Sequence, residues 1–254
     1  MGFKLYLGDC LEIMNNIDDS SVDMILCDLP YGTTKCSWDI LIPFDKLWEQ
    51  YNRIIKNNGV IALFGQEPFS SFLRCSNISD YKYDIYWEKE RITNIMQVKK
   101  RVGKNVETIS IFYKNQPTYN PQMVKYDGPK RTNKVKNGKL GKLIDDNNNK
   151  KVIEYNDCGL RYPTQVWKYK RDILTSNLHP TQKPVLLLES LIKTFTNEND
   201  IVLDNCMGSG STGVACLMTN RNFIGIEIDE DYFNVAKNRI ETNELSHDIN
   251  LIIK

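Results

Sequence analysis

The sequence has few of the residues and patterns that mark metal-binding, secreted or membrane proteins. Of its 254 residues only 2 are histidines, and no two of its 7 cysteines have the Cys-x-x-Cys spacing of a zinc site. An odd number of cysteines at such spacings indicates reduced thiols rather than a disulfide framework. No apolar run is long enough to cross a bilayer, and residues 1–10 lack the basic-then-apolar pattern of a signal peptide. We therefore expect a cytoplasmic protein with neither a metal site nor a membrane contact.

Net charge is also nearly absent, but the charges are unevenly distributed. The chain has 33 lysines and arginines against 32 acidic residues, so its total charge indicates no polyanionic partner. Residues 89–142, however, contain 14 basic and 3 acidic residues. A basic middle within an acidic chain favours contact with a polyanion, and a solvated lysine-rich loop is the alternative that charge alone leaves open.

Short apolar segments alternate with amphipathic helical patterns over most of the chain. Near-continuous apolar strands between helices imply a largely parallel sheet that is covered on both faces. The sequence therefore predicts an α/β fold. The predicted strands are 22–28, 59–64, 81–87, 108–113, 200–206 and 222–227, and the predicted helices are 43–56, 67–75, 184–195, 211–219 and a last one after Asp229.

The regular alternation stops in the middle of the chain. Residues 115–151 are rich in Asn, Lys, Gly and Pro and poor in aliphatic side chains, which predicts a loop-rich insertion or a small lobe. Order returns at Pro184, which suits the first turn of a helix. We expect one domain formed by two halves, residues 1–114 and 176–254, with an inserted region at 115–175.

A glycine-rich turn follows the predicted strand 200–206. Residues 203–213 read LDNCMGSGSTG, in which Gly208, Gly210 and Gly213 satisfy G-x-G-x-x-G between a strand and a helix. Glu227 ends the next predicted strand and can bind two ribose hydroxyls. This arrangement predicts a site for a nucleoside cofactor, because glycines let the cofactor approach the backbone closely. A turn that needs glycine only for packing is the alternative.

Asp204, directly before this turn, helps to choose between cofactors. A carboxylate there suits the α-amino group of a methionine moiety and would repel a pyrophosphate. Asp204 therefore favours S-adenosylmethionine over a dinucleotide, and an aspartate that only caps a helix is the structural alternative. An NAD-dependent oxidoreductase stays open on the glycine pattern and Glu227 alone.

The turn Asp28-Leu29-Pro30-Tyr31 follows the strongly apolar strand 22–28, so it should lie at the sheet edge where ligands bind. It suits methylation of an exocyclic amino group, whose lone pair is delocalised into the ring. The Asp28 side chain and the Leu29 carbonyl can accept both N–H groups and free that lone pair. Pro30 stiffens the turn, and Tyr31 offers a flat face to an extruded base. The alternative is a β-turn whose Asp and Pro only form the corner.

Together these motifs resemble those of DNA methyltransferases that modify the N6 amino group of adenine or the N4 amino group of cytosine. D-L-P-Y is similar to the family's D-P-P-Y catalytic motif, residues 28–39 match its phage-like members, and HPTQKP at 179–184 resembles its segment before the cofactor lobe. The catalytic motif precedes the cofactor motif, as in the family's permuted β arrangement. The resemblance covers residues 4–114 and 175–243. It implies a Rossmann-like S-adenosylmethionine-dependent methyltransferase fold, with a mostly parallel seven-stranded sheet, helices on both faces and a small inserted recognition lobe.

The resemblance also implies roles for the residues that match the family's motifs. Asp28, Pro30 and Tyr31 would be catalytic, although Leu29 replaces the family's first proline. Glu107 belongs to an Asn-Val-Glu sequence where members often have a His-Glu pair, which leaves a target-base contact there open. The residues expected to line the cofactor are Asp9, Cys10, Thr181, Lys183, Asp204, Gly208, Gly210, Ser211, Thr212 and Glu227. Leu29 and Trp38 are expected beside the base, and simple packing is the alternative for Trp38. The basic charge of the middle region, which the resemblance does not cover, suggests phosphate contacts by Lys130, Arg131 and Lys134.

The leading hypothesis is methyl transfer from S-adenosylmethionine to N6 of an adenine extruded from double-stranded DNA. Aspartate rather than serine at the start of the catalytic motif favours adenine by family analogy. Cytosine-N4 methylation is the main alternative, and a protein or RNA methyltransferase, a DNA-binding module without catalysis and an oxidoreductase are more distant ones. Permuted members often pair, which leaves a homodimer open, and any restriction endonuclease partner would be a separate chain.

Overall fold

The computed structural model describes residues 2–32, 40–126, 128, 158–172 and 182–252, with side chains described as far as residue 242 of the last range. The chain divides into two compact units. The large unit is formed by Met1–Asn120 with Thr164–Lys254, and the small unit by Pro121–Pro163.

The large unit is built on a twisted sheet that has eight strands within the described residues, in the order β1-β10-β9-β2-β3-β5-β4-β8. β5 is antiparallel to both of its neighbours, and all other pairs are parallel. The predicted α/β class with a mostly parallel sheet is therefore confirmed. The strands of the chain are β1 (Phe3–Leu7), β2 (Val22–Cys27), β3 (Ile55–Gly65), β4 (Tyr81–Glu88), β5 (Val106–Phe112), β6 (Val124–Lys125), β7 (Leu160–Arg161), β8 (Val166–Lys168), β9 (Ile201–Asp204) and β10 (Asn222–Glu227).

The predicted count of seven strands differs by one from the sheet of the described residues. The three-residue strand β8 pairs in parallel with the edge of β4, and three residues are too few to show a strand periodicity in the sequence. The helical pattern predicted through residue 56 is also too long. The chain leaves the helix at Ile54, and Ile55 already pairs with Val22 as the start of β3.

Helices cover both faces of the sheet, as predicted. β2 shows why, because its residues alternate between two buried clusters: Met24 and Leu26 belong to one, and Ile25 and Cys27 belong to the other. A strand whose two faces are both buried needs a layer of helices on each side. The helices are α1 (Cys10–Met14), α2 (Phe44–Ile54), α3 (Phe69–Ser76), α4 (Val185–Phe195), α5 (Ser211–Met218) and α6 (Glu230–Ile252).

The strand order reverses between β2 and β9, and this reversal positions the site. The two strands are parallel neighbours, with Ile25 opposite Leu203. From β2 the chain continues to β3 on one side, and from β9 it continues to β10 on the other. Such a switch point opens a crevice at the carboxyl ends of the strands, where ligands of open α/β sheets bind. Asp28 follows β2 and Asp204 ends β9, so one carboxylate stands on each side of this crevice.

In the small unit, β6 and β7 form an antiparallel pair, and the Arg161 guanidinium lies 4.3 Å from the centre of the Tyr126 ring. Among the described residues of the whole chain, no helix has the length and apolar character needed to cross a membrane. The same residues contain no cluster of three or more His, Cys, Asp or Glu side chains that could hold a metal ion.

Candidate active site

A cavity of about 680 Å³ opens at the switch point of the large unit. This volume lies within the range of about 300–1,000 Å³ that is usual for small-molecule sites. Its walls come from the carboxyl ends of β1, β2, β3, β9 and β10 and from the segment before α4. The cavity brings together twelve residues that the sequence singled out: Asp9, Cys10, Asp28, Leu29, Pro30, Tyr31, Lys183, Asp204, Gly208, Ser211, Thr212 and Glu227.

The D-L-P-Y turn forms one wall of the cavity. The Tyr31 hydroxyl donates a hydrogen bond of 2.5 Å to Oδ1 of Asp28, and the Tyr31 ring lies 4.7 Å from the Phe69 ring at an angle of 35°. Burial raises the pKa of Tyr31 well above its usual value, and the nearby charges of Asp28 and Glu107 raise it further. Tyr31 is therefore a neutral hydrogen-bond donor whose ring orientation is fixed from both ends.

Four charged side chains form a network around this turn. The Lys183 ammonium forms an ion pair with Oδ2 of Asp28 and lies 3.7 Å from Oε2 of Glu107. The Lys89 ammonium forms an ion pair with Oε1 of Glu107. Two carboxylates and two ammonium groups thus meet at one side of the cavity, and the set is electrically balanced.

The network decides the charge states of its members. Burial alone would lower the pKa of Lys183, but the attraction of Asp28 and Glu107 outweighs burial and raises it. Burial alone would raise the pKa of Glu107, but Lys183 and Lys89 outweigh it and lower that pKa. Both groups are therefore charged at neutral pH, because each is buried beside a partner of opposite sign.

The glycine turn and the end of β10 form the opposite wall. Gly208 has the left-handed φ of +51° that favours glycine, and its N–H donates a hydrogen bond of 2.8 Å to Oε2 of Glu227. Oε1 of Glu227 accepts from the backbone N–H groups of Ile228 and Asp229 at 2.9 and 3.0 Å. Glu227 thus joins the turn after β9 to the end of β10, and Oε2 keeps one lone pair for a ligand in the cavity that Glu227 lines.

Asp204 is buried at the base of the glycine turn. It accepts hydrogen bonds from the Thr212 hydroxyl at 2.6 Å and the Cys206 N–H at 3.1 Å. Burial raises its pKa to about 6, because these bonds offset only part of the cost of burying the charge. Within the part of the chain that the structure describes, Asp204 forms no ion pair. A buried carboxylate that faces a cavity without a cation suits a cationic ligand group.

Asp9 and Cys10 line the cavity, and Cys10 belongs to a cluster of three thiols with Cys27 and Cys206. Asp9 caps α1 by accepting from the Leu11 and Glu12 N–H groups at 2.8 and 3.2 Å. The thiols of Cys10 and Cys27 both interact with that of Cys206. The hydrogen bond with Cys206 raises the pKa of Cys10, and burial raises the pKa of Cys27 to about 12. These neutral thiols are poor nucleophiles, so the chemistry of the site depends on its oxygen and nitrogen groups.

One described residue among the predicted site residues does not line the cavity. Gly210 is not among the residues that line the cavity. It begins α5 with φ +77°, and a Cβ there would lie 2.9 Å from that of Ala236, so this glycine permits close packing against α6. Five predicted residues lie outside the described residues, namely Trp38, Lys130, Arg131, Lys134 and Thr181.

The cavity also has lining residues to which the sequence assigned no role. Lys89 follows the predicted strand 81–87, but nothing in the sequence pairs it with Glu107. Gln182 precedes Lys183, and its buried Oε1 has no hydrogen-bond partner among the described residues. Arg239 of α6 supports the glycine turn by donating to the Ser209 carbonyl at 2.8 Å. These contacts join distant parts of the chain, so no local pattern reveals them.

The fold and the site define a class: a Rossmann-like α/β methyltransferase with its cofactor crevice at the switch point of the sheet. Residues 22–238 match the model of the N6/N4 methyltransferase family, which is described as DNA methylase. Because that match covers most of the chain, the protein belongs to this family of DNA methyltransferases.

Individual relatives agree with this assignment. The chain is 30% identical over 248 residues to "DNA adenine methyltransferase YhdJ" of Escherichia coli (strain K12), a match that covers 92% of this chain and 81% of the relative. Among solved structures it is similar to the "M1.HpyAVI-SAM complex", with a TM-score of 0.60, 28% identity and coverage of 93% and 99% of the two chains. The PvuII DNA methyltransferase, described as cytosine-N4-specific, shares the fold at a TM-score of 0.67 and 16% identity, with coverage of 97% and 93%.

Proposed function

We propose that this DNA methyltransferase transfers a methyl group from S-adenosylmethionine to N6 of an adenine that is extruded from double-stranded DNA. The observation that carries the proposal is that Asp28, Tyr31, Asp204 and Glu227 all line the same cavity at the switch point. The cavity gives the amino group and the cofactor a common site, and methyl transfer by direct displacement needs little more than that positioning.

The wall formed by the glycine turn and the end of β10, the cofactor wall, has residues that fit S-adenosylmethionine. Asp204, a buried carboxylate without a described cationic partner, would bind the α-amino group. Oε2 of Glu227 has one lone pair left for a ribose hydroxyl, and Gly208 would let the cofactor approach the backbone. Asp9 and Cys10 lie on the rim beside this wall and would contact the adenine ring, with Ser211, Thr212 and, by family resemblance, Thr181 completing the site. A relative in the same family has been solved as a complex with this cofactor.

The wall formed by the D-L-P-Y turn, the catalytic wall, can activate an exocyclic amine. Oδ1 of Asp28 already accepts from Tyr31 and Oδ2 from Lys183, and each carboxylate oxygen has a second lone pair for an amino N–H. The Leu29 carbonyl would accept the other N–H, which leaves the nitrogen lone pair free to attack. When bound, S-adenosylmethionine supplies the electrophilic methyl group on its sulfonium. The nitrogen then carries one proton too many, and the Asp28 carboxylate would accept it and become neutral.

Lys183 takes a different part in this proposal from the one that the resemblance suggests. The resemblance implies a cofactor contact for Lys183, but its ammonium group is paired with Asp28 and lies near Glu107. We therefore propose Lys183 as a positioning residue for the catalytic carboxylate. Pro30 would fix the turn, and Tyr31 would provide the stacking surface for the target base.

Adenine is proposed over cytosine on two grounds. The catalytic motif begins with aspartate, which favours adenine by family analogy, and a relative with 30% identity is named as a DNA adenine methyltransferase. Cytosine N4 is the second candidate, because the fold is shared with an enzyme described as cytosine-N4-specific. The inserted region 115–175, with Lys130, Arg131 and Lys134, would read the target sequence, and Trp38 would contact the base. Pairing of two copies and a separate restriction endonuclease stay proposals.

Sequencing that detects modified bases tests the proposal in cells. The chain and its Asp28→Ala variant are expressed in bacteria that lack other DNA methyltransferases, and the genomic DNA of each strain is analysed. We expect N6-methyladenine within one short sequence context for the original chain and none for the variant. N4-methylcytosine alone would contradict the adenine proposal, and the absence of any methylated base would contradict DNA methylation by this chain.

A further inference from the structure

The loop between β4 and β5, residues 89–105, lies at the rim of the cavity. Lys89 and Thr93 line the cavity, and Lys104 donates a hydrogen bond to Gln66, another lining residue. The loop carries six lysines and arginines against one acidic residue, Glu90. We call residues 89–105 the β4–β5 loop. Both ends of the loop adjoin residues that line the cavity, Trp87 before it and Glu107 after it.

The base of the β4–β5 loop is fixed by hydrogen bonds across it. The Thr93 N–H donates to the Lys104 carbonyl at 2.7 Å, and the Lys104 N–H donates to Oδ1 of Asn94 at 2.6 Å. Nδ2 of Asn94 donates to the Val102 carbonyl at 3.0 Å. A single 3₁₀ turn, Ile95–Gln97, follows at the tip. Because the base is held in this way, the tip is presented in a defined orientation and little conformational entropy is lost when it binds.

The tip exposes apolar side chains that pack against nothing in the described structure. Met96 is 93% exposed, Val102 89% and Ile95 67%. Single exposed apolar residues are common, but three at the end of one ordered loop mark a contact surface.

Exposed cations alternate with these apolar side chains. Arg91, Lys99, Lys100 and Arg101 are all exposed, and none of the four forms an ion pair with a described residue. Burial lowers the pKa of Lys104, and the neighbouring charges of Lys89 and Arg101 act in the same direction, which reflects the excess of positive charge in the loop. A protein or lipid partner that only covered the apolar tip would leave this charge unbalanced. A row of phosphates balances it.

We infer that the β4–β5 loop binds duplex DNA beside the target nucleotide, with Lys99, Lys100 and Arg101 on phosphates and Met96 and Val102 against the bases that extrusion unstacks. This inference rests on the proposed function. Extrusion of a base leaves a gap in the stack, and apolar side chains inserted into DNA commonly fill such gaps.

Salt dependence of DNA binding tests the phosphate contacts without knowledge of the target sequence. The triple variant Lys99→Gln, Lys100→Gln, Arg101→Gln is compared with a control of equal charge change, Lys4→Gln, Lys82→Gln, Lys114→Gln. The control residues lie at the end of the sheet away from the cavity. Lys4 and Lys82 are near the amino ends of β1 and β4, and Lys114 follows the antiparallel strand β5. The slope of log K against log salt for a mixed-sequence duplex should fall by about 0.9 for each phosphate contact that is lost. An equal slope change in both variants would overturn the inference.

A second comparison tests the apolar contacts. Methyl incorporation into a native plasmid and into the same plasmid after heat denaturation is measured for the original chain and for Met96→Ala, Val102→Ala. We expect the ratio of native to denatured rates to fall by about tenfold, because only duplex DNA needs help to keep the base extruded. An unchanged ratio would overturn the proposed contact of Met96 and Val102 with the unstacked bases. Failure of the proposed function is distinguishable, since the original chain would then methylate neither form of the plasmid.

Discussion

The ammonium group of Lys183 forms an ion pair with the carboxylate of Asp28, although the two residues are 155 positions apart in the chain. The pair joins the turn after β2 to the segment that leads into α4, and both residues line the same cavity. An ammonium group at this point holds the Asp28 carboxylate, proposed here as the catalytic acceptor, in one orientation. The contact therefore couples the catalytic turn to the cofactor half of the domain.

The first prediction concerns Asp28 itself. Asp28→Ala removes the acceptor that frees the amine lone pair, so the rate of methyl transfer should fall by at least about 10²–10³-fold, the loss usual for a preorganised charge-stabilising group. Cofactor affinity, measured by calorimetry, should change little, because the residues proposed to bind the cofactor lie on the other wall. A modest loss of rate with normal folding would mean that Asp28 only shapes the turn.

The ion pair gives a prediction for stability. Lys183→Met leaves the Asp28 carboxylate without its ammonium partner and Glu107 with Lys89 alone. Removing one partner of a buried pair costs about 3–5 kcal/mol of unfolding free energy. The double variant Lys183→Met, Asp28→Asn should recover part of that loss, and denaturant unfolding measures both. If the loss in the double variant equals the sum of the losses in Lys183→Met and Asp28→Asn, the two side chains contribute no coupling free energy.

Asp204 predicts how cofactor binding depends on pH. An ammonium group binds the ionised carboxylate, and burial raises the pKa of Asp204 to about 6. Affinity for S-adenosylmethionine should therefore be complete above pH 6 and fall by about tenfold per pH unit below it, because protonation removes the partner charge. Asp204→Asn should bind weakly with no such dependence. Titrations by calorimetry from pH 5 to pH 8 check this, and equal pH profiles for both proteins would exclude Asp204 as the amino-group ligand.

The proposed role of Glu227 predicts that its substitution changes the KM for the cofactor much more than kcat. Glu227→Gln weakens the charge-assisted bonds to the ribose and to the Gly208 N–H, so the KM for the cofactor should rise by about 10–100-fold, while kcat at saturation falls much less. Steady-state kinetics with varied cofactor give both constants. Glu230→Gln, an exposed change at the start of α6, is the matched control and should leave the KM unaltered. A selective fall in kcat for Glu227→Gln would instead place Glu227 near the reacting atoms.

The parts of the site that were predictable from the sequence are those with local signals. The apolar run of β2 indicated a strand buried on both faces, and a parallel sheet presents the residues after such strands at one edge. That reasoning alone brought Asp28 and Asp204 to one crevice, where the structure has them. The glycine turn was recognisable because its strand, glycines and helix are consecutive.

The parts that were not predictable depend on contacts between distant residues. Nothing near Lys89 or Glu107 in the sequence indicates that they form an ion pair, and the network with Lys183 exists only after three segments meet. Gly210 shows the opposite case. Its place in the G-x-G-x-x-G pattern suggested a cofactor contact, but its backbone conformation and the closeness of Ala236 explain the glycine by packing. The strand β8 was too short for any periodicity to reveal it.

The most direct test of the account follows an isotope from the cofactor to the base. The protein is incubated with unmethylated plasmid DNA and S-adenosylmethionine that carries a deuterated methyl group, and the DNA is then digested to nucleosides for mass spectrometry. The account predicts the deuterated methyl group on N6 of deoxyadenosine, at a level that Asp28→Ala reduces to background. A folded, cofactor-binding protein that leaves every nucleoside unlabelled, or labels only cytosine, would contradict it.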